Sequence, residues 1–295
     1  MADRSGAAGR TGSIPAGTPV PAVASSTGSF TSARSDLAVC FAWEGGRLSV
    51  PGTPAASALL KALVRAARED GFKGKRRESF FWPSGGRFPS ARYLMVGLGK
   101  REGADLDRVR DGCGLAARKG SALKSVRRMT IALPEVPGEA SAAAIAAAAT
   151  EGVILGSYRM LKYMTGDEAR PTSLRAVDLL VAKGTLADAR PGVSRGACRG
   201  AAVTLARDLV NEPAGSLTPS LMAQAARDVA KRAGLEIRIH GEKDLEKLGM
   251  GALLGVSAGS AQPPCLIHLI YRPRRARGPL ASIALVGKGL TFDSG

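Results

Sequence analysis

The 295-residue sequence predicts an α/β protein, with an amino-terminal α/β domain followed by the first part of a second, mostly parallel α/β/α domain. Three observations lead there. Short aliphatic runs at residues 37–43, 92–98 and 126–133 have the length and composition of buried strands. Longer stretches at 55–68 and 105–119 carry apolar residues at helical spacing, and a chain that alternates the two patterns builds a sheet covered by helices. Hydrophobic content of 45% supplies the core that such a sheet needs.

Residues 1–34 are dominated by Ala, Gly, Ser, Thr and Pro, with few large apolar groups to offset ordering entropy, and are expected to form a disordered tail. Arg4, Arg10 and Arg34 against the single acid Asp3 raise a targeting peptide, but no apolar segment of the secretory kind accompanies them. A cytoplasmic location is the simpler expectation.

The first domain is expected over 35–170. It opens with a strand pair at 37–43 and 47–50 joined by the turn Glu44-Gly-Gly46. The helix at 55–68 places Leu59, Leu60, Leu63 and Val64 on one side, and the strand at 92–98 runs into Gly97-Leu-Gly99. That turn invites a dinucleotide reading, yet Glu102 stands where the third glycine of the fingerprint belongs. A helix at 105–119, a strand at 126–133 and a long helix at 140–164 follow. Residues 171–192 read as a linker region holding one strand, 173–182, and a turn-rich stretch, 183–192.

The second domain is expected over 193–295. A helix at 194–211 is broken by Pro213, Gly215 and Pro219, and Pro219 suits the start of another helix at 220–233. A strand at 235–240, a short helix at 242–248, the glycine-punctuated stretch 249–260 and strands at 267–271 and 283–286 complete it. No apolar run is long enough to span a membrane.

Lys and Arg number 42 against 25 Asp and Glu, a net charge of +17 that favours anionic partners. The basic residues are scattered, and the clusters at 73–77 and 272–277 are flanked by glycine and proline, which places them on solvated loops. Weak nucleic-acid binding is what this charge supports. Cys40, Cys113, Cys198 and Cys265 are too dispersed for a zinc knuckle and too few for a disulfide scaffold, so reduced thiols are expected. His240 and His268 do not make a ligand pair by spacing, and His268 lies within a strand pattern.

The chemistry gathers at the carboxyl end. The run 283–286 reads as a buried parallel strand that Gly287 and Gly289 interrupt, which puts Lys288 and Asp293 just past a strand's carboxyl end, where α/β sheets hold ligands. Two bland alternatives stand beside this: Gly-Lys-Gly as a solvated turn, and Asp293 as a helix cap. A Walker loop fits less well, because Gly289 rather than Ser or Thr follows the lysine.

The string Val286-Gly-Lys-Gly-Leu-Thr-Phe-Asp-Ser-Gly295 resembles the first metal-binding motif of the leucine aminopeptidase (cytosol aminopeptidase) family of two-metal exopeptidases. Ala206-Arg-Asp-Leu-Val-Asn-Glu-Pro213 with Leu217-Thr-Pro219 resembles the opening of that family's catalytic domain. Leu248-Gly-Met-Gly-Ala-Leu-Leu254, followed by Gly259-Ser260 and Pro263-Pro264, lies between them in the expected order. The segment around Gly97-Leu-Gly-Lys100 is similar to part of the family's amino-terminal domain. The resemblance implies that the second domain is the first part of a metallopeptidase domain, with Lys288 a metal ligand and Asp293 a carboxylate bridging two divalent ions, manganese or zinc.

Such an ion pair activates water and polarises a peptide carbonyl, and the implied substrates are peptides with a free amino terminus. The resemblance also implies a homohexamer. The family's remaining parts are a catalytic Lys, a further Asp and an Asn-Thr-Asp-Ala-Glu-Gly-Arg segment carrying two metal-binding acids and a catalytic Arg, and none occurs in these 295 residues. No catalytic residue is therefore assigned here. The sequence reads as the front part of a longer product, inactive by itself, with a non-catalytic, basic DNA-associated protein of the same family as the alternative and a nucleotide-binding α/β domain as a third reading.

Overall fold

The computed structural model describes residues 19–45, 47–50, 57–138, 140–273 and 281–291. Two units divide it, one over Gly17–Asp208 and one that includes Leu209–Gly295.

The first unit is organised by a seven-stranded sheet. Its strands are β1 (Ala22–Thr27), β2 (Leu37–Trp43), β3 (Arg47–Ser49), β4 (Ser79–Pro83), β5 (Arg92–Gly99), β6 (Arg128–Ala132) and β7 (Ala176–Val181). They lie in the order β1-β7-β6-β2-β5-β4, with β3 paired to β2. The pairs β1/β7, β7/β6, β6/β2 and β2/β5 are parallel, whereas β4 runs antiparallel to β5 and β3 to β2. Every residue of β2 is buried, as an inner strand covered on both faces requires.

Helices α1 (Ala58–Glu69), α2 (Leu106–Ala122), α3 (Ala142–Ser157) and α4 (Leu186–Asn211) supply the layers. Ser57, Asp105 and Ser141 cap the first three, each side-chain oxygen accepting from a backbone amide three residues on. On one face Val39, Phe41, Val96 and Ile131 pack with α2, α3 and Ala189 of α4. On the other, Cys40, Ala42, Tyr93 and Met95 pack with α1 and Phe30.

Three expectations change here. Residues 22–27 are an ordered strand rather than part of a disordered tail. All six pair in register with β7, Phe30 is fully buried against Tyr93, and the Ser26 hydroxyl donates to Asp178 at 2.5 Å. Backbone pairing with a partner some 150 residues away stabilises a segment whose own side chains bury little, so composition misjudged it. Second, α3 ends at Ser157, because Tyr158 turns extended. Third, β7 and most of α4 belong to the first unit, and α4 begins at Leu186 with Pro191 inside it. One residue beyond the proline the helix packs closely on α3: a Cβ on Gly192 would meet the Ala143 carbonyl at 2.1 Å.

Gly97 and Gly99 have a structural explanation. The loop 73–78 crosses the end of β5, where the Gly97 amide donates to Glu78 O at 2.8 Å and the Gly99 amide to Gly74 O at 2.9 Å. A Cβ at Gly97 would fall 2.0 Å from the Lys75 carbonyl, so the glycine is required for the backbones to approach.

Burial pushes the Cys40 thiol up to about 12 and raises that of Cys113 as well, since a thiolate cannot be solvated there. Cys198 is exposed. Alkylation at pH 8 should therefore label Cys198 rapidly and spare Cys40 and Cys113 until the protein unfolds; mass mapping of labelled peptides checks this.

The second unit contains α5 (Pro219–Ala233), β8 (Glu236–Gly241), α6 (Glu242–Lys247), α7 (Gly251–Ser257) and β9 (Cys265–Ile270). Thr218 caps α5, Pro219 occupies its first turn, and Gly234 ends it in the left-handed region at φ 67°. Strands β8 and β9 form an antiparallel ribbon. The glycine-punctuated stretch contains helix α7, none of whose residues is buried.

Candidate functional site

The three sequence blocks singled out above have different structural standing. In the first, the Asp208 carboxylate is 8% exposed and accepts from the Tyr158 hydroxyl at 2.8 Å. Arg207 lies over the Tyr158 ring, 5.5 Å from its centroid, and donates to the Leu155 carbonyl at 3.3 Å. These two charged residues fasten the last turns of α4 to the end of α3. Sequence reasoning gave them no such role, because their partners stand about fifty positions away with no spacing rule to connect them. Removing the phenolic donor by Tyr158→Phe leaves a largely buried carboxylate short of a hydrogen bond, so thermal unfolding should show a loss of about 2 kcal/mol.

The turn after α4 is local. The Pro213 carbonyl accepts from the amides of Ser216 and Leu217, Leu217 is buried, and Thr218 then caps α5. In the middle block, Gly249 takes φ 68° and the Leu248, Gly249 and Met250 amides close the end of α6. Both blocks thus serve chain reversal and capping.

The third block carries the candidate ligands. Residues 281–290 hold no regular secondary structure, so the strand expected at 283–286 is not formed. Ile283, Leu285 and Val286 are 85%, 95% and 96% exposed. An aliphatic run becomes a parallel strand only beside a neighbour that accepts its hydrogen bonds, and among the described residues of this unit β8 and β9 pair only with each other. Lys288 is exposed within this segment, and Asp293 lies outside the described residues. The structure therefore does not report the distance between them.

Nitrogen and oxygen donors of this kind suit zinc or manganese. Among the described residues, however, no group of three or more His, Cys, Asp or Glu lies close enough to hold an ion. One exposed amine does not make a metal site.

The histidines both lie on strands of the second unit. Although 28 positions apart in sequence, they stand on one ribbon: His240 is opposite Leu266, and His268 is opposite Arg238.

Comparison with known proteins decides the family. The profile described as "Cytosol aminopeptidase family, N-terminal domain" matches residues 39–167, and that described as "Cytosol aminopeptidase family, catalytic domain" matches residues 204–295. The chain belongs to the cytosol aminopeptidase family. Among relatives, a probable cytosol aminopeptidase of Persephonella marina is 35% identical over 271 residues, covering 91% of this chain and 53% of the relative. Another, from Solibacter usitatus, is 41% identical over 206 residues, covering 70% and 41%. The chain spans about half the length of the curated relatives it matches.

Solved structures agree. Bottromycin maturation enzyme BotP, also solved in complex with Mn, is 30% identical over 81% of this chain and 46% of its own, with TM-scores of 0.63 and 0.61 in its two structures. A tomato leucine aminopeptidase mutant gives a TM-score of 0.73 over 88% and 53%, and at 24% identity it speaks for the fold alone. The mostly parallel α/β architecture of the first unit is thus that of a family member. Among the described residues no helix is long and apolar enough to cross a membrane.

Proposed function

We propose that this chain contributes the amino-terminal domain and the opening of the catalytic domain of a leucyl aminopeptidase-type metallo-exopeptidase, which releases amino-terminal residues from peptides. The observation that carries this reading is the ordered pair of family matches, the second of which extends through Lys288 and Asp293. In this proposal the Lys288 amine and the Asp293 carboxylate are ligands of two divalent ions, manganese or zinc. The Mn complex of BotP supports a metal of this class. Assembly as a homohexamer and a cytoplasmic location belong to the same proposal, and family membership supports them.

The 295 residues taken alone hold two of the donors that the family resemblance implies, and two donors do not satisfy two ions. Purified 295-residue protein supplied with Mn2+ or Zn2+ is therefore expected to leave leucinamide unhydrolysed above the metal-only blank. A chimera that continues this chain with the remaining portion of the Persephonella marina relative is expected to hydrolyse it. Ordinary turnover by the 295-residue protein would contradict the first expectation, and a folded, metal-loaded chimera without turnover would contradict the second.

A further inference from the structure

We propose that the first unit binds a zwitterion, a free α-amino acid or a dipeptide, in the cavity between the face of β1, β7 and β6 and the loop 28–36 that crosses over it. The cavity holds about 440 Å³, a volume typical of small-molecule sites. Its lining comes from 22–35, 128–130 and 176–180, so it is built within one unit and uses neither Lys288 nor Asp293. The loop is a fixed roof. Phe30 anchors it in the core, the Ser90 hydroxyl donates to the Ala33 carbonyl at 2.7 Å, and the Asp36 carboxylate accepts from the Arg127 and Arg128 amides at 2.8 and 2.9 Å. Strand register sets the floor. Ala24 and Thr130 flank Asp178, and Ala22 and Arg128 flank Ala176, two residues earlier on β7, so all these side chains share one face. The small alanine side chains leave the space beneath the loop open.

Asp178 is the residue that calls for an occupant. Aspartate is depleted in strands, and β7 is an inner strand between β1 and β6. Its carboxylate is half-buried and accepts from the Ser26 hydroxyl through Oδ2 at 2.5 Å, and among the described residues it has no cationic partner. Arg34 and Arg128 line the same cavity from exposed positions, and among the described residues neither guanidinium has a carboxylate partner. Opposite charges that face one space without neutralising each other match a ligand that carries both. Asp178 Oδ1 accepts from the ligand's ammonium, and the guanidiniums donate to its carboxylate, whose planar shape suits their fork of N–H groups. A phosphate would meet the Asp178 charge and a simple amine the two arginines, so each is disfavoured. An aliphatic side chain has Ala22, Ala24 and Leu180 to lie against.

The test is a calorimetric titration of the 295-residue protein with leucine and with leucyl-leucine, beside isoamylamine, which lacks the carboxylate, and isocaproate, which lacks the ammonium. One equivalent of at least one zwitterion should bind saturably at millimolar concentration, about tenfold or more tighter than either singly charged analogue. The tighter of leucine and leucyl-leucine gives the length of the ligand. Asp178→Asn and the double variant Arg34→Gln/Arg128→Gln should each weaken that binding about tenfold or more, whereas Lys288→Met should leave it unchanged. No saturable binding of either zwitterion, an analogue that binds as tightly, or unchanged affinity in Asp178→Asn would overturn the proposal. The analogue series on the unsubstituted protein decides the matter even if a variant fails to fold.

Discussion

Gly152→Ala is expected to destabilise the first unit by about 3 kcal/mol, at the upper end of the usual cost of overpacking a close-packed interior. Helix propensity argues the other way, since alanine in a helix interior is favoured over glycine by about 1 kcal/mol. Packing decides the sign. A Cβ on Gly152 would lie 2.2 Å from the Arg110 carbonyl of α2, and one on Gly156 would lie 2.1 Å from the Gly114 carbonyl. Both obstacles are backbone, which cannot rotate away as a side-chain tip can. The same interface carries the Arg110–Glu151 ion pair at 3.2 Å, which fixes the two helices in register. A fall in melting temperature of about 6–12 °C is expected for a unit of this size. Gly255→Ala in α7, where nothing lies within 4 Å of the added carbon, should be neutral or mildly stabilising. A rise in stability at Gly152 would show that the two helices are not in this contact.

Much of the first unit could be read from the sequence because its signals are local. The strands β2 and β5 are aliphatic runs, and α1 and α2 have apolar stripes and a Ser57 or Asp105 cap. What escaped was non-local. The strand β1 exists through its pairing with β7, and Tyr158 meets Asp208 across fifty positions. The start of α4 was hidden because Pro191, an ordinary helix breaker, stands inside the helix. At the candidate site, spacing in the chain suggested Lys288 and Asp293 but could not supply the neighbouring strand that 283–286 would need.

Lys288→Ala, made in the chimera with the Persephonella marina relative, carries the second large expected effect. If the amine is a metal ligand, its loss withdraws part of the charge stabilisation that a bound ion offers the transition state, a contribution of several kcal/mol. At about 1.36 kcal/mol per decade, this corresponds to roughly a thousandfold fall in kcat/KM. Lys100→Ala, in the first unit and equally cationic, should leave the rate unchanged. Equal small losses in both variants would assign Lys288 to general surface charge.

The most direct test is the manganese content of that chimera after exhaustive dialysis, measured beside the Lys288→Ala/Asp293→Ala double variant. The proposed ligand roles predict two ions per chain in the unsubstituted protein and fewer in the double variant at unchanged secondary structure. Retention of both ions without those two side chains would contradict them.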